Sequence, residues 1–305
     1  MDASALALYL AVGAFVGFFA GLLGIGGGSV MVPILTMIFA KHGFSGDNVI
    51  HMALGTSMAT IIPGGFASAW MHHRHEAVRW DVVKAMLPGL LVGTASGAVL
   101  AHFASTAFLK TFFVGFICFL AAQLLFNLKP PGHRDLPARA GLIAFATFMG
   151  VISSLAGIGG AVLSIAFLVW CTIPLHHAIG TAAAIGVPLS IAGTVGFIAT
   201  GWSDAALPKA SLGYVYLPAF AGIAATSILI APLGAKLAHR LPVNVLKKIF
   251  VVFLVGLAVK MAVSVERSVC GGRPASRADS RRSRIGRSRS STEAILPAHH
   301  FCSGV

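Results

Sequence analysis

Charged side chains are scarce in this sequence, at 10% of its 305 residues, whereas a soluble domain carries about 25%. Hydrophobic residues make up 57% of the sequence. The few charged residues cannot cover the surface of a water-soluble chain of this length. The sequence therefore predicts that lipid is its main solvent. The 35 glycines agree with this, since glycine is tolerated in membrane helices and lets them pack closely.

The groups that most enzymes use are also missing. The apolar stretches contain almost no ionisable residues away from their ends, and no pair of Asp or Glu for acid–base chemistry or cation binding. HExxH, GxSxG and nucleotide-binding loops do not occur. The four cysteines are far apart and form no CxxC motif. We therefore expect no enzyme activity, no cofactor, no metal site and no disulfide framework.

The net charge of +13 is concentrated at one end of the chain, because eight arginines fall in the last 40 residues. Most other basic residues lie in short loops. This placement predicts a topology signal and a solvated tail, and it argues against a nucleic-acid partner. Ser, Arg and Gly dominate after residue 265, so we expect residues 266–305 to be disordered.

Apolar runs fill the rest of the chain, and a membrane-spanning helix needs about 20 such residues. The runs lie near 4–40, 48–71, 81–101, 106–127, 139–172, 174–200, 210–238 and 243–264. The first would reach roughly 55 Å as one helix at about 1.5 Å per residue, which is too long for one straight crossing. The runs 4–40 and 139–172 are both interrupted by glycines, at Gly24–Gly28 and Gly157–Gly160, so each is predicted to be a broken helix.

Four blocks of sequence recur in the same order in the two parts of the chain, which is hard to obtain by chance. They are GFFAGLLGIGG (17–27) with GVISSLAGIGG (150–160), HMALGT (51–56) with HHAIGT (176–181), GAVLAH (97–102) with GAKLAH (234–239), and LK (109–110) with LK (246–247). The expected fold is an all-α polytopic transmembrane bundle of two related halves. The expected organisation is a first repeat over 1–128, a linker over 129–138, a second repeat over 139–265 and the tail over 266–305.

Basic loop residues indicate that the halves are inverted relative to each other, because equivalent loops carry opposite charge bias. If each broken run enters and leaves on one side, loops 72–84, 128–139 and 236–248 face the cytoplasm with ten basic residues, against three outside. Eight plain crossings would give seven against six. The inverted arrangement places the Arg-rich tail outside, against the charge rule, but long segments obey that rule poorly. We therefore expect inverted repeats.

The broken helices are the best candidates for a binding site. Non-helical backbone is tolerated in a membrane only where it is buried or lines a cavity. A helix that restarts there has free N–H groups and a partial positive charge, so two such ends can hold an anion without Lys or Arg. The predicted substrate-binding residues are the glycines of both interruptions and nearby hydroxyls: Gly24, Gly26, Gly27, Gly28, Ser29, Thr56, Ser57, Gly157, Gly159, Gly160 and Thr181. Glycines that only allow tight helix packing are the alternative interpretation.

Histidines give two further hypotheses. His51 and His176 occupy equivalent positions at the starts of two spans, where they either cap the membrane interface or couple transport to protons. His72, His73 and His75 form a loop cluster, which favours either a solvated interface or the ligands of a metal-cation permease. A non-transporting membrane scaffold that recruits partners through its basic tail is a third alternative.

The glycine-rich block from Gly17 to Pro33, the ALGTS block at 53–57 and their second-half echoes resemble the TauE/SafE sulfite exporter family over roughly residues 5–264. The resemblance implies a multi-pass permease of the cytoplasmic membrane that moves sulfite, sulfoacetate or related sulfur anions. The second half departs from the first at Ala161, Ala166 and Ala182, which replace Gly28, Pro33 and Ser57, so its half-site is expected to differ. The expected partners are a small anion and membrane lipid, and a homo-oligomer is compatible with the sequence.

Overall fold

The computed structural model describes residues 3–23, 28–44, 48–125 and 136–238, and the single positions 252, 255, 256, 259 and 260. These residues belong to the unit Met1–Val265. Most of the expected linker, most of the last apolar run and the whole tail at 266–305 lie outside the described residues. The same holds for three predicted binding residues, Gly24, Gly26 and Gly27.

Nine α-helices and one β-hairpin form within the four described ranges. They are α1 (Ala3–Leu23), α2 (Gly28–Lys41), α3 (Val49–Arg74), α4 (Trp80–Phe103), α5 (Thr106–Leu125), α6 (Arg139–Ala156), α7 (Ala161–Trp170), α8 (Leu175–Gly201), β1 (Ser211–Leu212), β2 (Val215–Tyr216) and α9 (Leu217–Ala238). Helices are favoured because they satisfy every backbone polar group within one apolar segment. The predicted all-α bundle with two broken helices is confirmed.

Five of the described helices are long and apolar enough to cross a membrane, namely α3, α4, α5, α6 and α8. Their buried fractions differ: α3 is the most buried of the five, and α5 is the least buried. The exposed face of α5 carries a row of phenylalanine rings, including Phe108 and Phe119. Such a face suits contact with lipid, so α3 lies at the centre of the bundle and α5 at its edge.

Each glycine-broken run folds back on itself as a helical hairpin. In the second half, the rings of Phe145 on α6 and Phe167 on α7 stack 3.7 Å apart, and Ser164 Oγ lies 3.0 Å from Met149 Sδ. The start of α6 therefore lies beside the end of α7, so the two helices run antiparallel. In the first half, Tyr9 on α1 stacks on His42, which follows the end of α2.

The outer helices of each half pack against outer helices of the other half. α1 packs along α9, and α4 packs along α6. Since α1 corresponds to α6 and α4 to α9 in the repeat, the two pairings are equivalent. Both pairs run parallel, because contacts advance in the same direction: Gly93 lies against Thr147 and Gly97 against Val151. This pattern agrees with a twofold relation between the halves.

The central helices α3 and α8 are equivalent in the repeat and pack on each other. Gly55 lies beside Phe197, whereas Gly65, ten residues later, lies near Val187. The two helices are therefore antiparallel, which requires the twofold axis to be perpendicular to them. This geometry is consistent with inverted repeats, because the axis is in the membrane plane when α3 and α8 cross the membrane.

A short β-hairpin replaces the start of the apolar run predicted at 210–238. Ser211 pairs with Tyr216 across the two strands, and Gly213 turns the chain with a φ of 54°. The Tyr214 N–H donates to the Phe197 carbonyl at 3.2 Å, which holds the hairpin on α8. The hairpin also contacts α3, so it brings the second half against the first.

Candidate functional site

The second-half interruption is built by two glycines with left-handed backbone. Gly157 ends α6 with a φ of 62°, and Gly160 precedes α7 with a φ of 68°. Only glycine adopts this conformation at little cost, because a Cβ strains it. The Gly160 carbonyl then accepts the first bond of α7, from Ser164 N–H at 3.0 Å. The N–H groups of the first α7 turn, which starts at Ala161, have no partner within the helix.

The first-half interruption ends where α2 begins, at Gly28. Gly28 lies against the second interruption: a Cβ there would be 2.8 Å from the Gly157 carbonyl oxygen and 3.1 Å from Ile158 Cα. The Ile61 side chain of α3 lies beside both interruptions, because its atoms would be 2.9 Å from a Cβ on Gly28 and 3.1 Å from one on Gly159. The structure therefore brings Gly28, Gly157 and Gly159 together around one buried side chain.

Ser57 links the interruption to the central helix. Its buried hydroxyl donates to the Gly157 carbonyl at 2.9 Å, so it joins α3 of the first half to the broken helix of the second. Ala182 occupies the equivalent position in α8 and has no hydroxyl to make this bond. The predicted asymmetry between the half-sites therefore has a counterpart in the hydrogen bonding.

Buried hydroxyls without a partner mark the same region. Ser29, in the first turn of α2, is 1% exposed, and no described residue bonds its hydroxyl. Ser153, in the last turn of α6, is also 1% exposed and unpartnered, and its Oγ would lie 3.1 Å from a Cβ on Gly160. Ser29 thus lies in the first turn of α2, and the Ser153 hydroxyl lies close to Gly160, which directly precedes α7. A negative group is favoured at such helix starts.

Ser153 and its neighbour Ser154, which is also buried and unpartnered, are not among the predicted binding residues. Both lie inside the repeated block GVISSLAGIGG, so their closeness in sequence to the predicted glycines was visible. The first repeat has Ala20 and Gly21 at these positions, and a comparison of the repeats therefore gave no reason to select the serines.

Thr56 and Thr181, two predicted binding residues, each form a hydrogen bond between the two halves. Thr56 Oγ1 accepts from the Tyr216 N–H at 3.0 Å, and Thr181 Oγ1 accepts from the Arg79 N–H at 3.0 Å. Tyr216 directly precedes α9 and Arg79 directly precedes α4, so the two bonds are equivalent in the repeat. Each threonine keeps its own hydroxyl hydrogen for a second partner.

Gly55 and Gly180 allow these bonds to form. A Cβ on Gly55 would lie 2.8 Å from the Tyr214 carbonyl oxygen, and one on Gly180 would lie 2.6 Å from the Ala77 carbonyl oxygen. We call the pair of contacts, Gly55–Thr56 with 214–216 and Gly180–Thr181 with 77–79, the crossing contacts. They connect α3 to the segment before α9, and α8 to the segment before α4. In each case the segment belongs to the other half.

His51 and His176, predicted as an equivalent pair, have different environments. His51 is buried, and its Nε2 lies 2.8 Å from the Ala101 carbonyl oxygen. His176 is exposed at the start of α8, and its ring packs on His177 at 4.0 Å. The equivalence in sequence therefore does not extend to burial or hydrogen bonding.

The loop histidines are not gathered into a set of metal ligands. His73 Nδ1 accepts the indole N–H of Trp80 at 3.1 Å, which occupies one of its nitrogens. Within the described part of the chain, no group of three His, Cys, Asp or Glu residues is arranged to hold a metal ion. The metal-cation alternative therefore has no support from the placement of His72, His73 and His75.

The chain matches the family model described as Sulfite exporter TauE/SafE over residues 9–261. It is 36% identical over 256 residues to a probable membrane transporter protein of Haemophilus influenzae. The matched region covers 83% of this chain and 97% of that relative. Probable membrane transporter proteins of Methanocaldococcus jannaschii (27% over 242 residues; 77% and 87% covered) and Bacillus subtilis (28% over 241; 76% and 89%) are also similar. No solved structure matches it.

The family match covers all nine described helices apart from the first residues of α1. The relatives' names describe membrane transport, in agreement with five described helices of spanning length. The protein is thus a multi-pass membrane protein of a transporter family, and the chain belongs to the TauE/SafE sulfite exporter family.

Proposed function

We propose that the protein is a secondary transporter of the cytoplasmic membrane that carries sulfite or a related small sulfur-containing anion. The anion binds where the two interruptions meet, between the starts of α2 and α7. Backbone N–H groups and the hydroxyls of Ser29 and Ser153 are its donors. Each helix start contributes about 0.3–1 kcal/mol, and up to about 2 kcal/mol when it is partly buried.

The observation that carries this proposal is the contact of Gly28 with Gly157 and Ile158. This contact places two helix interruptions from different halves side by side, next to Ile61. A buried hydroxyl without a partner lies near each of them, on Ser29 and on Ser153. A buried polar group without a partner is costly, at about 1–3 kcal/mol, so a ligand that bonds these hydroxyls recovers free energy. Sulfur oxyanions offer three or more acceptor oxygens for this purpose.

Transport follows from the inverted arrangement. When one half rocks against the other, the site between the interruptions opens first to one side and then to the other. The crossing contacts lie on opposite sides of the site in this scheme, because the equivalent segments 77–79 and 214–216 belong to inverted halves. Breaking one contact while the other holds gives one opening. We propose that the 75–79 connection faces the cytoplasm, since loops on that side carry the basic residues.

The inversion has a direct test. In a protein whose native cysteines are replaced by serine, we expect Ser203→Cys to react with a membrane-impermeant maleimide on intact cells, and His75→Cys to react only after the membrane is opened. The two positions are exposed and lie in equivalent connections, after α8 and after α3. Labelling of both from the same side contradicts the inverted arrangement.

The transport site is tested by Gly159→Leu and Ser153→Ala in proteoliposomes loaded with radiolabelled sulfite. A Cβ on Gly159 would have only side-chain atoms of Ile61 within 4 Å among the described residues, at 3.1 and 3.8 Å, so the first added carbon meets no described backbone atom. The rest of the leucine adds bulk beside the interruption. We expect Gly159→Leu to abolish sulfite transport. Ser153→Ala removes one hydroxyl donor to an anion, worth about 1.5–3 kcal/mol, so KM for sulfite should rise at least about tenfold.

Gly115→Leu is the matched control, because a Cβ on Gly115 of the exposed helix α5 has no described atom within 4 Å. It should transport like the unmodified protein, and all three variants should elute as single species in detergent. Full sulfite transport by well-folded Gly159→Leu protein would remove the proposed site. Sulfate, thiosulfate and sulfonates, tested as competitors in the same vesicles, identify the preferred anion.

A further inference from the structure

Three titratable side chains meet where the second half docks on the first. The Tyr214 ring packs against His51 at 5.3 Å and against His102 at 6.0 Å between ring centroids. Its hydroxyl lies 3.1 Å from His102 Nδ1. The two histidines belong to α3 and α4 of the first half, whereas Tyr214 belongs to the β-hairpin of the second half. We call these three residues the His–Tyr cluster.

The hydrogen bonding of His51 defines where it takes up a proton. Its Nε2 faces the Ala101 carbonyl oxygen at 2.8 Å, and a carbonyl oxygen can only accept. Nε2 therefore carries a hydrogen whether the imidazole is neutral or charged. Protonation changes Nδ1, and with it the charge of a side chain that is only 5% exposed.

The surroundings of His51 contain groups of both signs. Asp204 is an acidic group of this region, and the Asn48 amide donates to its carboxylate at 2.6 Å. Asp47, four residues before His51, lies outside the described residues. The titratable or charged side chains on the described elements around this end of α3 include His42, His102, Lys110, Asp204, Tyr214 and Tyr216.

We propose that the His–Tyr cluster binds a proton and couples anion transport to proton movement, with His51 as the binding residue. This inference rests on the proposed transport function. The docked hairpin keeps His51 away from water, whereas a charged side chain is accommodated best where water reaches it. Release of the hairpin exposes His51 and favours proton uptake. Because linkage is reciprocal, proton binding at His51 also favours release of the hairpin.

The cluster lies at the end of α3 where the crossing contact of Gly55–Thr56 with 214–216 holds the same hairpin. Breaking that contact and protonating His51 are therefore one event at one face of the membrane. The equivalent contact at Gly180–Thr181 has no such cluster, because the residue equivalent to His51 is the exposed His176. The proton site thus belongs to one of the two openings only.

The test uses His51→Gln, because glutamine can still donate to the Ala101 carbonyl but does not titrate between about pH 5 and 8. Proteoliposomes contain a pH-sensitive dye, and protein-free liposomes correct for bisulfite that crosses the bilayer unaided. A sulfite gradient should drive a change of internal pH in the unmodified protein. In His51→Gln, this proton flux should fall at least about tenfold while sulfite–sulfite exchange, which needs no net proton movement, persists.

Two further variants complete the design. His176→Gln, at the equivalent exposed position, should keep the proton flux, whereas Tyr214→Phe, which loses only the hydroxyl that meets His102, should reduce it. Unchanged proton flux in His51→Gln and Tyr214→Phe overturns the inference. So does net sulfite transport down a gradient without proton movement in the unmodified protein.

A second measurement separates this inference from the proposed function. Leu212→Cys places a thiol on the hairpin, and its labelling rate is compared with and without His51→Gln in a background without native cysteines. The ratio of the two rates cancels the titration of the thiol itself. We expect it to change several-fold between about pH 8 and 5.5, around the ordinary histidine pKa of about 6.5. A protein that exchanges no sulfite contradicts the proposed function, and a constant ratio contradicts the proton site.

Discussion

A leucine in place of Gly93 is expected to prevent the protein from folding. A Cβ at this position would overlap the Thr147 carbonyl oxygen and lie 2.7 Å from Thr147 Cα, and both are backbone atoms of α6 that no rotamer change can move. Since α4 and α6 form one of the two outer-helix pairs between the halves, the halves must separate along their length to admit the side chain. The cost should exceed about 4 kcal/mol, which few single substitutions reach.

Size-exclusion chromatography in detergent measures this effect, and we expect the Gly93→Leu peak to be lost or aggregated. Gly115→Leu is again the matched control, with the same added atoms on a glycine that faces outward on α5. Its elution and thermal unfolding should resemble those of the unmodified protein. Normal elution and unfolding of Gly93→Leu would mean that α4 and α6 do not approach as described.

Adding a single methyl group at Gly55 or Gly180 should destabilise the protein at two equivalent places. Each new Cβ would press on a carbonyl oxygen of a crossing contact, at 2.8 Å from Tyr214 and 2.6 Å from Ala77. Overpacking of this kind costs about 1–3 kcal/mol. We expect Gly55→Ala and Gly180→Ala each to lower the midpoint of thermal unfolding by several degrees, as followed by circular dichroism.

Gly64→Ala provides the control, because it lies on α3 with Gly55 and its Cβ meets no described atom within 4 Å. Alanine is a better helix former than glycine by about 1 kcal/mol, so this variant should be as stable as the unmodified protein or more stable. The midpoint of thermal unfolding should therefore fall in Gly55→Ala and stay the same or rise in Gly64→Ala, although both glycines lie on α3. Equal behaviour of Gly55→Ala and Gly64→Ala would contradict the crossing contacts.

The bundle and its broken helices could be predicted because both depend on local composition. Apolar runs of spanning length and glycine clusters are visible in the sequence, and helices indeed end at Ala156 and restart at Gly28 and Ala161. The β-hairpin at 211–216 was not predicted, since its apolar residues merge with those of α9. Gly213, with its positive φ, was the available turn signal.

The roles of the buried threonines depend on partners far away in sequence. Thr56 bonds a residue 160 positions later, and Thr181 one 102 positions earlier. No local pattern distinguishes such an acceptor from a substrate ligand, because a hydroxyl in an apolar helix suits both. Their assignment as substrate ligands remains a prediction, as do those of Gly28, Ser29 and Ser57.

The histidine pair shows where the repeat misleads. Its sequence blocks assign His51 and His176 the same position, and the helices that carry them are equivalent. The segments packed against them are not: a β-hairpin with Tyr214 covers His51, whereas the shorter α3–α4 connection leaves His176 exposed. A repeat predicts backbone equivalence, but the loops of the other half determine each side chain's surroundings.

The hydrogen bond from Ser57 has a consequence for the empty transporter. A chain with two identical inverted halves would hold its inward and outward openings at equal free energy, because exchanging the halves converts one opening into the other. Ser57 bonds the Gly157 carbonyl, whereas Ala182 leaves the opposite contact without this bond. A net contribution of about 1 kcal/mol corresponds to about a fivefold bias between two states. A hydroxyl that is present in only one of two related halves thus suffices to give an otherwise symmetric carrier a preferred resting side.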